Sequence, residues 1–194
     1  MDSAVTALFA RNGLRIGIAP AGSWEAIQAV LEAMNAKTYK SMLAPPRGAP
    51  LLITTGPVSR SESVFTYTAD GRLVGKTFSE GDKLISLDYV FRPEFGGSTE
   101  LQVGFEVRHD KGVMTWTRDG GVIRQVPAYD RHVFAELVAR LTVMSGECLV
   151  IGPSEEARIE SLIGGRYLSI EHDGEPYESL LFVTPVPYQT KGAG

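Results

Sequence analysis

Apolar positions along this chain repeat with two different periods, and the switches between the periods outline a fold. Leu14, Ile16 and Ile18 alternate with Arg15 and Gly17, which predicts a short strand. Trp24, Ile27, Leu31 and Met34 then recur at helical spacing behind Ser23, a natural N-cap. The earlier stretch SAVTALFARNG reads as a helix closed by Asn12 and Gly13. LAPPRGAP, Leu43 to Pro50, interrupts the pattern, because neither Pro45 nor Pro46 can donate to a ladder and residues before proline avoid the helical region. It sets a helical N-terminal lobe, residues 1–44, apart from an antiparallel sheet at 51–127.

From Leu51 to Val126 nearly every segment reads as strand. Asp70-Gly71, Lys111-Gly112 and Asp119-Gly120 or Gly120-Gly121 are two-residue turn signals, since such turns need positive φ and glycine supplies it cheaply. Ser79 to Asp82 and Glu94 to Ser98 are longer links, which gives about six strands in a meander. In the strand Leu101 to His109, Leu101, Val103, Phe105 and Val107 point one way and Gln102, Glu106 and Arg108 the other, placing Glu106 on a solvated face. A turn at Lys111-Gly112 sets His109 opposite Met114 and Val107 opposite Trp116. In FTYTADGRLVGKTF a two-residue loop at Asp70-Gly71 pairs Tyr67 with Val74, Phe65 with Lys76 and Ser63 with Phe78. Phe65, Tyr67, Val74 and Phe78 then form the core face, and the face of Val64, Thr66, Thr68 and Thr77 lies outside.

Residues 130–184 read as helix, strand, helix and hairpin. Asp130 caps a helix over 131–145 with Val133, Phe134, Leu137, Val138, Leu141 and Met144 as its apolar stripe. ECLVIG is a buried strand, Ser154 caps a second helix ended by Gly164-Gly165, and a hairpin turns at Asp173-Gly174. Residues 185–194 read as a loose tail. The expected class is α+β: a single domain, 1–194, in which a curved antiparallel β-meander of about six strands is packed on one face by amphipathic helices and followed by a C-terminal strand, helix and hairpin.

Composition narrows the partners. A chain of 194 residues, 43% hydrophobic and 22% charged, is globular and large enough for a real core. A net charge of -4 with no block of Lys or Arg argues against nucleic acid. Apolar runs such as Leu180 to Val183 fall far short of the roughly 20 residues that span a bilayer. No charged n-region precedes an apolar stretch at Met1, which favours the cytoplasm, with the periplasm as the alternative if a signal peptide has been removed. The one cysteine, Cys148, excludes an internal disulfide and reads as an inert core thiol.

Chemical motifs are sparse. Gly17 followed by Gly22-Ser23 approaches a phosphate loop but lacks its lysine. There is no HExxH, no GxSxG and no carboxylate cluster at ligand spacing, so no metal and no cofactor is expected. Were the chain an enzyme, His132, His109 and Glu106 are the candidates, since adjacent acids accompany both histidines in sequence. Tyr89, Phe91, Arg92 and Phe95 are residue types that anchor interfaces; the plainer alternative turns Tyr89 and Phe91 into the core with Ile85 and Leu87. The reading that follows is a non-catalytic interaction or assembly module whose sheet surface or edge strand binds another protein or a second copy of itself. The alternatives are a carrier or sensor with a small apolar ligand in the concave sheet face, and an enzyme with a dispersed His/acid site.

Overall fold

In a computed structural model, residues 2–43, 49–58, 61–119, 121–172 and 175–186 are described. The proline break at 44–48, the turn at Asp173-Gly174, Gly120 and the tail beyond 186 lie outside them. The class is α+β and dominated by antiparallel strands, and the sheets do not close into a barrel.

The main sheet contains β2 (Leu51–Pro57), β5 (Asp82–Arg92), β6 (Ser98–Asp119) and β7 (Val122–Val133) in that order, with β8 (Ala139–Val143) also paired to β6. A second sheet sets β9 (Cys148–Pro153) between β1 (Leu14–Ala19) and β12 (Leu181–Val183). Two hairpins stand apart: β3 (Glu62–Tyr67) with β4 (Leu73–Phe78), and β10 (Ser169–His172) with β11 (Glu175–Glu178). The expected meander is thus divided between sheets.

The core joins both larger sheets. Leu14, Ile16, Leu149 and Ile151 pack in one cluster with Ile85, Leu87, Val103, Phe105 and Val107. Helix α1 (Ser3–Arg11) seals it with Phe9, whose ring meets Phe105 edge-on at 6.1 Å, and α3 (Ile163–Leu168) adds Tyr167 against Phe105 at 5.5 Å. Asn12, fully buried, ties α1 to the β3–β4 hairpin: its amide donates to Leu8 O and Tyr67 O and accepts from Tyr67 N.

Helix α2 (Trp24–Ala33) forms as the spacing requires, but none of its residues is buried; Trp24 instead meets Phe182 edge-on at 5.6 Å. Ser23 makes no side-chain cap, whereas Asp2 accepts from Ala4 N at the start of α1.

Four expectations are overturned. The helix over 131–145 is absent: Asp130 to Val133 extend β7 against β6, Phe134 N donates to Phe105 O, and 139–143 form β8. Ala139, Leu141 and Val143 satisfy period two as well as Phe134, Leu137 and Leu141 satisfy period 3.6, and pairing with β6 decides between them. Gly164 and Gly165 do not end a helix but lie inside α3, buried, where a Cβ on Gly164 would come within 2.1 Å of Gly13 O. Residues 155–158 form a short 3-10 turn beyond Ser154 without a side-chain cap.

The third correction concerns the β3–β4 hairpin. Tyr67 pairs with Leu73, Phe65 with Gly75 and Glu62 with Phe78, one residue away from the two-residue-loop register. Gly71, at φ 82, donates to Thr68 O, and Thr68 N donates to Arg72 O, so the loop is a three-residue turn ending in a glycine bulge. The slip exchanges the faces. Phe78 stays in the core as expected, but Val64 joins it there in place of Phe65, which lies over Gly75, and of Tyr67, which carries the Arg11 guanidinium 4.1 Å above its ring.

The fourth concerns Lys111-Gly112, which is not a turn. β6 runs through it, with the pairing to β7 shifting between Asp110 and Met114; Gly112, at φ 66, donates its N–H to Asp110 Oδ1 inside a bulge. The reversal comes after Asp119, which pairs with Val122, with Gly121 at φ 86.

Candidate functional site

Because the turn falls at 119–122, β6 and β7 extend well past the rest of their sheet. β5 covers β6 only from Ser98 to Arg108, so beyond that point the two strands run on as a two-stranded ribbon. Its register places Met114 across from Pro127, Trp116 from Gln125 and Arg118 from Ile123 on one face, and Thr115 across from Val126, Thr117 from Arg124 and Asp119 from Val122 on the other. Trp116 is 69% exposed, Ile123 64% and Met114 52%. The ribbon therefore carries an apolar face that its own chain does not cover.

At the root of the ribbon, the side of β7 that bears Pro127 also bears Tyr129 and Arg131. Tyr129 lies 5.0 Å from the Arg108 guanidinium. Arg108 Nη2 donates to Glu106 Oε1 at 2.7 Å, and Arg131 Nε donates to the other carboxylate oxygen. Glu106 is fully buried, which corrects its expected solvated position: alternation gave the right face, but two arginines close over it. A buried carboxylate survives in such a place because two cations satisfy it. Glu62 is built alike, with Lys83 at 3.2 Å and Arg166 at 3.3 Å. Between them Tyr167 donates to Glu106 O at 2.7 Å; burial first, then the Glu106 and Glu62 charges, raise its hydroxyl well above the usual tyrosine range.

The opposite side of the same root holds an open cleft of about 250 Å³ lined by Lys76, Phe78, Glu80, Val107, His109, Asp130, Arg131 and His132. His109 pairs across the strands with Asp130, and Val107 with His132, rather than with Met114 and Trp116 respectively as the misplaced turn implied. His109 Nε2 lies 3.3 Å from Glu80 Oε1, and Lys111 Nζ 2.6 Å from Asp130 Oδ1. His132 rests against Phe78 and Phe134, with Lys76 Nζ 3.1 Å from its Nδ1. Burial, followed by the Lys76 charge, holds its imidazole below the usual range. The two histidines thus share one cleft, while the Glu106 carboxylate lies on the other face of the strands. Among the described residues, no group of three or more His, Cys, Asp and Glu is placed to hold a metal ion.

Tyr89, Phe91 and Phe95 lie at the far end of the sheet, 38%, 43% and 66% exposed, so Tyr89 and Phe91 do not turn into the core with Ile85 and Leu87. Arg92 reaches Glu100 at 3.3 Å and Glu94 at 4.0 Å. The sequence signal for this cluster, aromatics beside an arginine at a strand end, finds an exposed surface. The larger apolar surface, on the ribbon, was missed, although its signal was present: MTWTRDGGVIRQVP reads as a hairpin whose alternation needs no core. Cys148 is a buried free thiol in β9, as expected. Comparison with protein-family models, with curated proteins and with solved structures finds no match to this chain. No helix among the described residues is long and apolar enough to cross a membrane.

Proposed function

We propose that this protein is a non-catalytic interaction or assembly module that engages another polypeptide through the β6–β7 ribbon. The observation that carries the reading is the ribbon itself: Met114, Trp116 and Ile123 share one exposed face and stay outside the core cluster. An apolar surface of this kind on an extended hairpin, with Arg118 and Gln125 beside it on the same face, has the composition of an interface centre and rim. The exposed Tyr89, Phe91 and Phe95 at the other end of the sheet offer a second, smaller contact.

The test is the double variant Trp116→Ser with Ile123→Ser. It is expected to keep the circular dichroism and thermal midpoint of the parent chain, since neither residue is in the core, while losing association by at least about tenfold, as interface aromatics do when truncated. Unchanged association in a folded variant would sink the proposal.

The convergence of His109 and His132 in one cleft favours a second reading, a proton-transfer site with His132 kept neutral as the base. That reading expects His132→Gln to abolish any turnover found while leaving the fold intact; turnover that survives the change would remove it.

A further inference from the structure

The ribbon has two edges, and their chemistry differs. On β7, Pro127 stands in mid-strand, where the ring removes a donor; prolines in sheets occupy edges for that reason, and this one blunts the outer side of β7. On β6, β5 reaches only Arg108, so among the described residues no strand lies beside His109 to Asp119 on that side. The bulge at 111–113 interrupts the first part of this edge. What remains, Met114 to Asp119, is an extended strand in regular register with β7 behind it and unpaired backbone groups in front.

We propose that this edge pairs with the same edge of a second copy of the chain, antiparallel, about a two-fold axis at Trp116. The proposal rests on the ribbon being the interaction element, and it names the partner. Residues paired across an antiparallel ladder have their backbone groups pointing the same way, so self-pairing of a regular strand must be centred on a residue. Trp116 is the midpoint of Met114 to Arg118, the registered residues that stop short of Asp119 at the reversal. An axis at Thr115 draws the bulge residue Val113 into the ladder, and an axis at Thr117 draws in Asp119, where the strand reverses.

Centred on Trp116, the pairs are Trp116 with Trp116, Thr115 with Thr117 and Met114 with Arg118. Aromatic pairs and threonine pairs are among the favourable cross-strand combinations, and nowhere in this register do like charges face each other. The two-fold operation keeps both Trp116 side chains on one side of the joined sheet, so each covers part of the other, although each is 69% exposed in the single chain. A ladder this short makes a small interface, so the dimer is reversible and concentration-dependent.

The experiment uses the full chain, its Trp116→Glu variant and its Trp116→Lys variant, each followed by light scattering across a concentration series. The parent mass is expected to rise toward that of a dimer. Each variant alone is expected to stay monomeric, with its dissociation constant raised at least about tenfold by like charges meeting on the axis, and an equimolar mixture of the two is expected to dimerise again. Circular dichroism identical to the parent shows that both variants remain folded. A parent that stays monomeric throughout overturns the proposal, as does a variant that dimerises like the parent or a mixture that does not recover. If the parent is monomeric yet a photo-cross-linker at position 116 joins a different polypeptide, self-pairing falls and the ribbon reading stands. If neither occurs, both fall.

Discussion

Glu106 shows how a single side chain joins the fold to the root of the ribbon. Alternation placed it correctly relative to Phe105, but solvent exposure does not follow from parity: the flanking Arg108 and Arg131 turn a nominally wet position into one with no exposure. Glu106→Ala would leave two guanidinium groups facing a void. Because Arg131 keeps half its surface in water, the expected loss is about 2–4 kcal/mol, toward the lower part of what a broken buried pair costs, read from urea unfolding. A loss well under 1 kcal/mol would mean that the arginines do not depend on it.

His132 gives the matching prediction for pH. Burial and Lys76 hold its folded-state pKa below the ordinary histidine value of about 6.5, so as pH falls the unfolded chain binds the proton first and stability declines below about that pH. Lys76→Met removes one of the two causes. The imidazole titration, followed by NMR, is then expected to move upward toward the ordinary value, and the decline in stability between neutral and mildly acid pH to become shallower. An unmoved titration would show that Lys76 does not act on His132.

Among the elements, what could be read from the chain and what could not divide along one line. Strands with one buried face were legible: Leu14 to Ala19, Leu101 to Val107 and Cys148 to Pro153 alternate or run apolar because a core holds them. Elements whose state depends on a distant partner were not. Residues 131–143 fit both periods, and only β6 decides that they are strands. Glycine was ambiguous in the same way: Gly71 ends a bulged turn, Gly112 sits inside a bulge in mid-strand, and Gly164 is there because α3 crosses the backbone of Gly13. A Cβ at 164 would approach Gly13 O to 2.1 Å, so Gly164→Ala is expected to cost upwards of about 4 kcal/mol or to abolish folding, measured by thermal unfolding. A variant as stable as the parent would mean that this crossing relaxes freely. For the candidate site, the aromatic set at 89–95 was legible by residue type, but alternation with Ile85 and Leu87 pointed Tyr89 and Phe91 toward the core, and only the structure shows them exposed. The ribbon was hidden by the single misplaced turn at Lys111-Gly112.

For the whole molecule, the division is between a core shared by the two larger sheets and a ribbon that leaves it. Phe9, Phe105, Phe134 and Tyr167 lock α1, β6 and α3 together, and Asn12 pins the β3–β4 hairpin to the same body. Nothing in that body requires Met114, Trp116 or Ile123. Replacing residues 113–127 by a two-residue Asn-Gly turn is therefore expected to leave the thermal midpoint within about 3 °C of the parent, no more than a loss of roughly 1 kcal/mol produces in a domain of this size. The measurement that bears most directly on the account places a photo-reactive phenylalanine analogue at position 116, with a control at the solvated position 88, and identifies what each cross-links in the cell that makes the protein. The expected result is a specific polypeptide, a second copy of this chain or another protein, joined at 116 and absent at 88; no product at 116, or the same products at both positions, would contradict it.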